Sequence, residues 1–313
     1  MIEKGGDFMN DEASFKHGIL FALSAYIMWG ILPLYWALIE GVSATEILMY
    51  RIVLSLIFMI ILVPITKQTT QLKADFHQFI KTPRKLLIII VAGYVVTLNW
   101  GTFIYAINEG YVLQTSLGYY INPLVSILLA MLFFKERFNR LEWCAILFAS
   151  IGVLYMTFKV GEFPFISLVL AFTFGIYGLL KKLVPMSAVS SITIESIATA
   201  PMAIIYLTII GQSHGLSIGM NSSTFWLLFS GAVTAVPLLA FSAAAIRIPL
   251  SLIGFIQYIG PTLIFLNGVF IFKEPFNTDQ FITFCFIWFG IFIYVLSQIF
   301  KMRRKPKPIQ YHE

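Results

Sequence analysis

YINPLVSILLAMLFFKERFN (residues 120–139) returns as YIGPTLIFLNGVFIFKEPFN (residues 258–277). The offset stays at 138 residues: Tyr120 matches Tyr258, Pro123 matches Pro261, and Phe134-Lys135-Glu136 matches Phe272-Lys273-Glu274. Phe138-Asn139 matches Phe276-Asn277, and Gly152 matches Gly290 further on. Each copy is apolar over enough length to cross a hydrocarbon core of about 30 Å. Lipid offers the backbone no hydrogen-bond partner, so each copy reads as helix rather than open strand. The duplication implies a fold made of one helical unit used twice.

Composition agrees. The chain of 313 residues is 59% hydrophobic and 12% charged, with mean hydropathy +0.87. Soluble domains carry about 25% charged residues. Asking for roughly 20 apolar residues per span gives ten candidates, near 17–39, 46–66, 86–107, 111–134, 142–158, 164–182, 188–211, 224–246, 249–272 and 279–300. The expected fold is an all-α polytopic membrane protein. Residues 1–16 read as a polar tail, 17–158 and 164–300 as the two five-helix repeats, and 301–313 as a basic tail that meets anionic lipid. The first span lacks a cleavage-type end and reads as retained.

Basic residues orient the chain. Of the 21 Lys and Arg, Arg51 lies inside a span and only Lys159 and Lys273 fall in loops on the outer side when the N-terminus is inside. Positive residues favour the cytoplasmic face, so both termini are expected there. The net charge of +6 thus reflects membrane orientation rather than a nucleic-acid partner. Five spans per half is an odd number, so the second half must be inverted relative to the first. Inverted repeats that exchange roles are a physical basis for alternating access around a central path.

Several stretches together resemble the drug/metabolite transporter superfamily, in its ten-helix EamA-type group and the RarD branch. They are WGILPLYW (29–36), EILMYR (46–51), NWGTFIYAIN (99–108), SLGYYINPL (116–124), FKER (134–137), TAVPLLAF (234–241) and GFIQYIGPTLIF (254–265). The resemblance covers about 17–300. It implies a permease of the bacterial inner membrane, of the chloramphenicol-sensitivity type, acting on a small-molecule substrate.

The residues support their own reading. Arg51 and Glu195 are the deepest charges, at matching places in the second helix of each half. An ionised group at a helix centre costs about 2.5–3.5 kcal/mol on insertion scales, so each should face protein or water. Arg51 lies about six residues from one end of its span and Glu195 about seven from the opposite end, which leaves them roughly 10 Å apart in depth. Two mirrored sites fit that depth better than a salt bridge. Arg51 is a candidate for binding anionic or polar substrate groups, and Glu195 for carrying a coupling proton; the bland alternative is that both only snorkel or satisfy neighbouring helix ends.

Asn122-Pro123 and Gly260-Pro261 lie near mid-span, where a proline frees a carbonyl one turn back and kinks the helix. Such kinks either shape a cavity or serve packing. Asn99, Gln114 and Gln257 either line the cavity or bond between helices, at about 1 kcal/mol or less per contact. Trp100 and Tyr119 are candidate pocket walls, Tyr120 less so, whereas Trp36, Tyr111 and Trp226 read as interfacial anchors.

Other chemistries find no support. His17, His77, His214 and His312 lie at or beyond span ends, so no metal site is expected. Cys144 and Cys285 read as packing residues. No Walker-type loop appears, no cofactor is expected, and no cluster suggests an enzyme. The leading reading is a secondary active transporter exporting metabolites or drugs. Exchange or import without a proton, and a non-transport sensor or enzyme, are the alternatives. Oligomeric state is not legible.

Overall fold

The computed structural model describes residues 3–109, 111–161, 163–213, 222–271, 273 and 278–303. Among them lie twelve helices and no strand: α1 Glu3–Trp36, α2 Ala44–Ile65, α3 Thr69–Lys81, α4 Pro83–Asn108, α5 Val112–Phe134, α6 Arg140–Val160, α7 Phe165–Leu183, α8 Ala188–Ser213, α9 Ser222–Ala245, α10 Leu250–Gln257, α11 Ile259–Phe270 and α12 Thr278–Arg303. Ten spans, with α10 and α11 forming one of them, are long and apolar enough to cross a membrane. Each expected span is present within a few residues. Of the break expected near residues 211–215, residues 211–213 still belong to helix α8, and the remainder lies outside the described residues. So do Phe272, Glu274, Phe276 and Asn277 of the repeat.

Two differences appear, and the second has a physical cause. Residues 3–16, expected as a tail, continue the first span as helix α1. The ninth span is interrupted at Tyr258. Pro261 has no N–H to offer the carbonyl of Gln257, and its ring crowds that carbonyl. Helix α10 therefore stops at Gln257. Helix α5 stays one helix through Pro123, the matching residue.

Local signals set several boundaries. Ser43 caps α2 by accepting from the Glu46 N–H at 3.2 Å. Asn139 and Glu142 form a capping box at α6, each side chain accepting from the other's backbone N–H. Lys135 ends α5 in the left-handed region at φ 53°, and Lys273, its partner in the repeat, has φ 56°. A non-glycine residue there is uncommon, and both copies adopt it. This turn in the first copy carries Glu136 to the start of α10. Its carboxylate accepts from the backbone N–H groups of Leu250 (3.0 Å) and Ser251 (3.3 Å) and from the Ser251 hydroxyl. An acidic group suits the positive end of a helix. Glu136→Ala should therefore lower the stability of the purified protein by about 1–2 kcal/mol, with Glu136→Gln milder. Thermal unfolding in detergent checks this.

Helix α6 packs on α12, α5 on α7 and α10, and α2 on α8 and α9. Matching residues of the repeat meet one another. The Tyr258 hydroxyl donates to the Tyr120 carbonyl at 3.4 Å, and Phe148 stacks on Phe286 with centroids 6.3 Å apart. A Cβ on Gly152 would lie 2.9 Å from the Thr283 oxygen, and one on Gly290 would lie 2.8 Å from the Ala145 oxygen. Residues 145 and 283 are themselves a matched pair. Reciprocal contact of this kind is what a two-fold relation between equivalent surfaces produces.

The segment near 67–85 holds the amphipathic α3. Its Phe79 is buried with Ile89, Val184 and Ile194.

Candidate functional site

Arg51 leaves α2 about two turns from the end of the bundle that carries Trp36. Its guanidinium carbon lies 4.3 Å from the Trp100 ring centroid and 4.9 Å from that of Trp36. Its Nε donates to Thr234 Oγ1 of α9 at 3.0 Å. Ring faces attract a cation by about 0.5–2 kcal/mol each, which offsets part of its desolvation. Tyr119 is near enough to interact electrostatically with the guanidinium. Its ring lies 5.9 Å from that of Phe103. Arg51 thus sits among aromatic groups from α1, α4 and α5. No carboxylate among the described residues pairs with it.

Glu195 is placed differently. It faces Lys181, and the two form an ion pair with side chains only 4% and 6% exposed. Ser191 Oγ donates to Glu195 Oε1 at 2.9 Å, and Tyr177 Oη donates to Oε2 at 3.2 Å. Lys181 also donates to Ser191. Lysine belongs to α7 and glutamate to α8, and the short turn between these helices brings them together. Lys181, one of the basic residues counted on the inner side, is therefore not free. It lies in the last turn of α7 with its ammonium turned inward.

Arg51 and Glu195 make no direct contact, in line with their separate depths. One cavity nevertheless touches both groups. It has about 30 Å³ of internal space and is bordered by Ser55, Trp100, Glu195, Ser196, Thr199 and Thr234. That is room for one or two waters. Its walls come from α2, α4, α8 and α9. Trp100 and Thr234 are contacts of Arg51, and Glu195 is the partner of Lys181; Arg51 and Lys181 themselves do not line it.

The remaining candidates do not join this group. Asn99 Nδ2 bridges α4 to α7, donating to the Leu170 carbonyl and to Thr173 Oγ1, both at 2.8 Å. Gln114 Oε1 accepts from the Ile166 N–H at 3.2 Å, and Gln114 also borders a lateral cleft of about 640 Å³ lined by Gly101, Tyr105, Tyr111 and Phe165. Gln257 accepts from Ser126 at 3.4 Å, tying α10 to α5. Asn122 Oδ1 is buried without a partner among the described residues. Pro123 lies beside Gly254, whose Cβ would meet the Pro123 carbonyl at 2.9 Å. Cys144 and Cys285 are exposed on the outside of the bundle, not packed within it, which corrects their reading as packing residues.

Sequence reasoning missed five members of the two groups: Trp36, Thr234, Lys181, Tyr177 and Ser191. The signal for Lys181 was its place within the sixth span, fourteen residues before the only deep carboxylate. Trp36 sits at a helix end, as an interfacial anchor does, and its second role needs tertiary contact to see.

Comparison with known proteins is consistent with this architecture. The model of the EamA-like transporter family matches residues 16–158. Protein RarD of Escherichia coli (strain K12) is 43% identical over 299 residues, covering 95% of this chain and 100% of that protein. The uncharacterized transporter YojE of Bacillus subtilis (strain 168) is 39% identical over 299 residues, covering 94% of this chain and 98% of its own. The chloramphenicol-sensitive protein RarD of Pseudomonas aeruginosa is 29% identical over 278 residues, covering 88% of this chain and 92% of that protein. A solved crystal structure superposes with a TM-score of 0.67 at 14% identity, over 90% of this chain and 98% of that one, a likeness of fold alone. Ten apolar spans, a duplicated helical unit and full-length identity above 40% place the chain, a multi-pass membrane protein, in the EamA-like transporter family as a RarD-type member.

Proposed function

We propose that the protein is a secondary active transporter that exports small organic molecules, metabolites or drugs. In this reading both termini face the cytoplasm of a bacterial cell, and the halves are inverted repeats. The observation that carries it is the cavity lined both by Trp100 and Thr234, the contacts of Arg51, and by Glu195, the partner of Lys181. Ionisable groups inside a bilayer are costly and by default mark a solute or ion path. The reciprocal contacts of Tyr120 with Tyr258 and of Phe148 with Phe286 support the inverted repeat, in which exchange of roles between halves gives alternating access. The interruption at Tyr258 supplies a helix that can bend near mid-membrane. The small cavity volume fits an occluded state that must widen to admit a solute.

Exchange without a proton is the second reading. It is favoured by the contacts of Glu195, which already has an ammonium and two hydroxyl donors around its carboxylate.

The test is flux in proteoliposomes. The purified protein should move at least one solute from a labelled panel faster than protein-free vesicles do. The name of the Pseudomonas relative makes chloramphenicol the first member of that panel. Pro261→Ala should leave membrane insertion intact, because insertion follows summed apolarity, and should reduce flux by letting α10 run on into α11. No protein-dependent flux across the whole panel would sink the transport reading.

A further inference from the structure

The geometry points to an organic monoanion as the substrate: a carboxylate gripped by the open edge of Arg51, with a flat apolar body against the aromatic rings around it. This deepens the transport reading and rests on it. Arg51 and Lys181 are the two cations within the bundle that belong to these groups, and they are treated in opposite ways. Lys181 has a carboxylate, a hydroxyl and close burial around it. Arg51 has rings and one hydroxyl, and its single side-chain hydrogen bond uses Nε alone. A guanidinium carries five N–H donors in a rigid plane. Four of them, on the two terminal nitrogens, have no protein acceptor among the described residues. A fixed cation so deep, with its fork unfilled and no resident counterion, is a site prepared for an incoming anion.

Each wall narrows the chemistry. A planar fork pairs best with a planar carboxylate, through two parallel bonds. One cation balances one negative charge, so a dianion such as a phosphate monoester would enter with a charge left over. Glu195 borders the cavity that Trp100 and Thr234 also line, and repels a second negative group that reaches it. Trp36, Trp100 and the nearby Tyr119 and Phe103 present ring surface, which favours an aromatic or similarly flat body over a sugar. A cationic solute at the Arg51 group would meet a like charge at a cost. An uncharged amide would leave the guanidinium without its counter-charge.

Phenylacetate, phenylacetamide and phenethylamine form a matched probe set with one body and three charges. Binding to the full-length protein in detergent is read by quenching of tryptophan fluorescence and by the shift in melting temperature, since a ligand of the folded state raises it. Indole-3-acetate extends the set to a larger ring. The carboxylates should bind, and the amide and amine should bind at least ~10-fold more weakly, as expected for loss of a charge-assisted pair. Arg51→Gln should remove carboxylate binding. Arg51→Lys keeps the charge and loses the fork, and should weaken binding roughly tenfold; it also serves if the Gln variant does not fold. Equal binding of amide or amine, no binding of either carboxylate, or carboxylate binding retained in both Arg51 variants would overturn the inference. Carboxylate binding without uptake into proteoliposomes would uphold this inference and remove the transport reading. Uptake of the amide or amine that survives Arg51→Gln would do the reverse.

Discussion

Gly231→Ala should cost the protein most of its folded yield. A Cβ at this position would lie 2.3 Å from both the carbonyl carbon and the oxygen of Leu54, and 2.7 Å from the Leu54 Cβ. The two nearest atoms are backbone, so no rotamer change relieves the clash, and α2 and α9 must separate. That separation also strains the Ser55 Oγ bond to the Gly231 carbonyl at 3.2 Å. One turn along the same face of α9 lies Thr234, the hydrogen-bond partner of Arg51. Overpacking a core costs about 1–3 kcal/mol and sometimes more; a backbone clash this close belongs at the upper end. Gly101→Ala is the control, because a Cβ there meets nothing within 4 Å. It should be neutral or stabilising by up to about 1 kcal/mol, since alanine suits a helix better than glycine. Monodisperse yield and melting temperature in detergent measure both. Leu54→Ala should fail to rescue Gly231→Ala, because the obstruction is the Leu54 backbone. Rescue by Leu54→Ala would mean that the helices approach less closely than described.

Much of this architecture was legible in the chain, because insertion into lipid depends on summed apolarity over about 20 residues and little else. That is why all ten spans fall close to where hydropathy puts them. The repeat was legible because two copies of YI-x-P and FKE keep one offset. Their purpose was not. It took the structure to show Lys135 and Lys273 in the same left-handed turn and Glu136 capping α10 across 114 residues of sequence. The interruption at Tyr258 was half legible. Pro261 announced a fault in its helix, yet Pro123, its equivalent, lies in an unbroken α5.

The site was legible in its charges and illegible in their partners. Arg51 and Glu195 stand out because an ionised group is rare inside a span. Lys181 does not, since a lysine at the last turn of a helix looks like one that snorkels to the surface. Whether its ammonium turns out or in depends on what α8 presents to it. Asn99, Gln114 and Gln257 were open between cavity and inter-helix bonds; Asn99 and Gln257 hold neighbouring helices together, and Gln114 both bonds Ile166 and borders the lateral cleft.

Lys181→Met should destabilise the protein by about 3–5 kcal/mol, because it leaves the Glu195 carboxylate buried without its counter-charge. The pair is 4% and 6% exposed, so water cannot readily take the place of the ammonium. Adding Glu195→Gln should recover most of that loss, since the remaining amide asks only for hydrogen bonds and keeps Ser191 and Tyr177 near it. Melting temperatures of the two single variants and the double variant complete the cycle. Transport divides the two roles that the pair can play. If Glu195 carries the coupling proton, Glu195→Gln abolishes accumulation driven by a pH gradient and still permits exchange of labelled for unlabelled solute. The double variant, stable again, should share that defect. Gradient-driven accumulation restored in the stable double variant would reduce Lys181 and Glu195 to a structural clasp between α7 and α8. In that case the coupling would have to come from exchange of one solute for another at the Arg51 group.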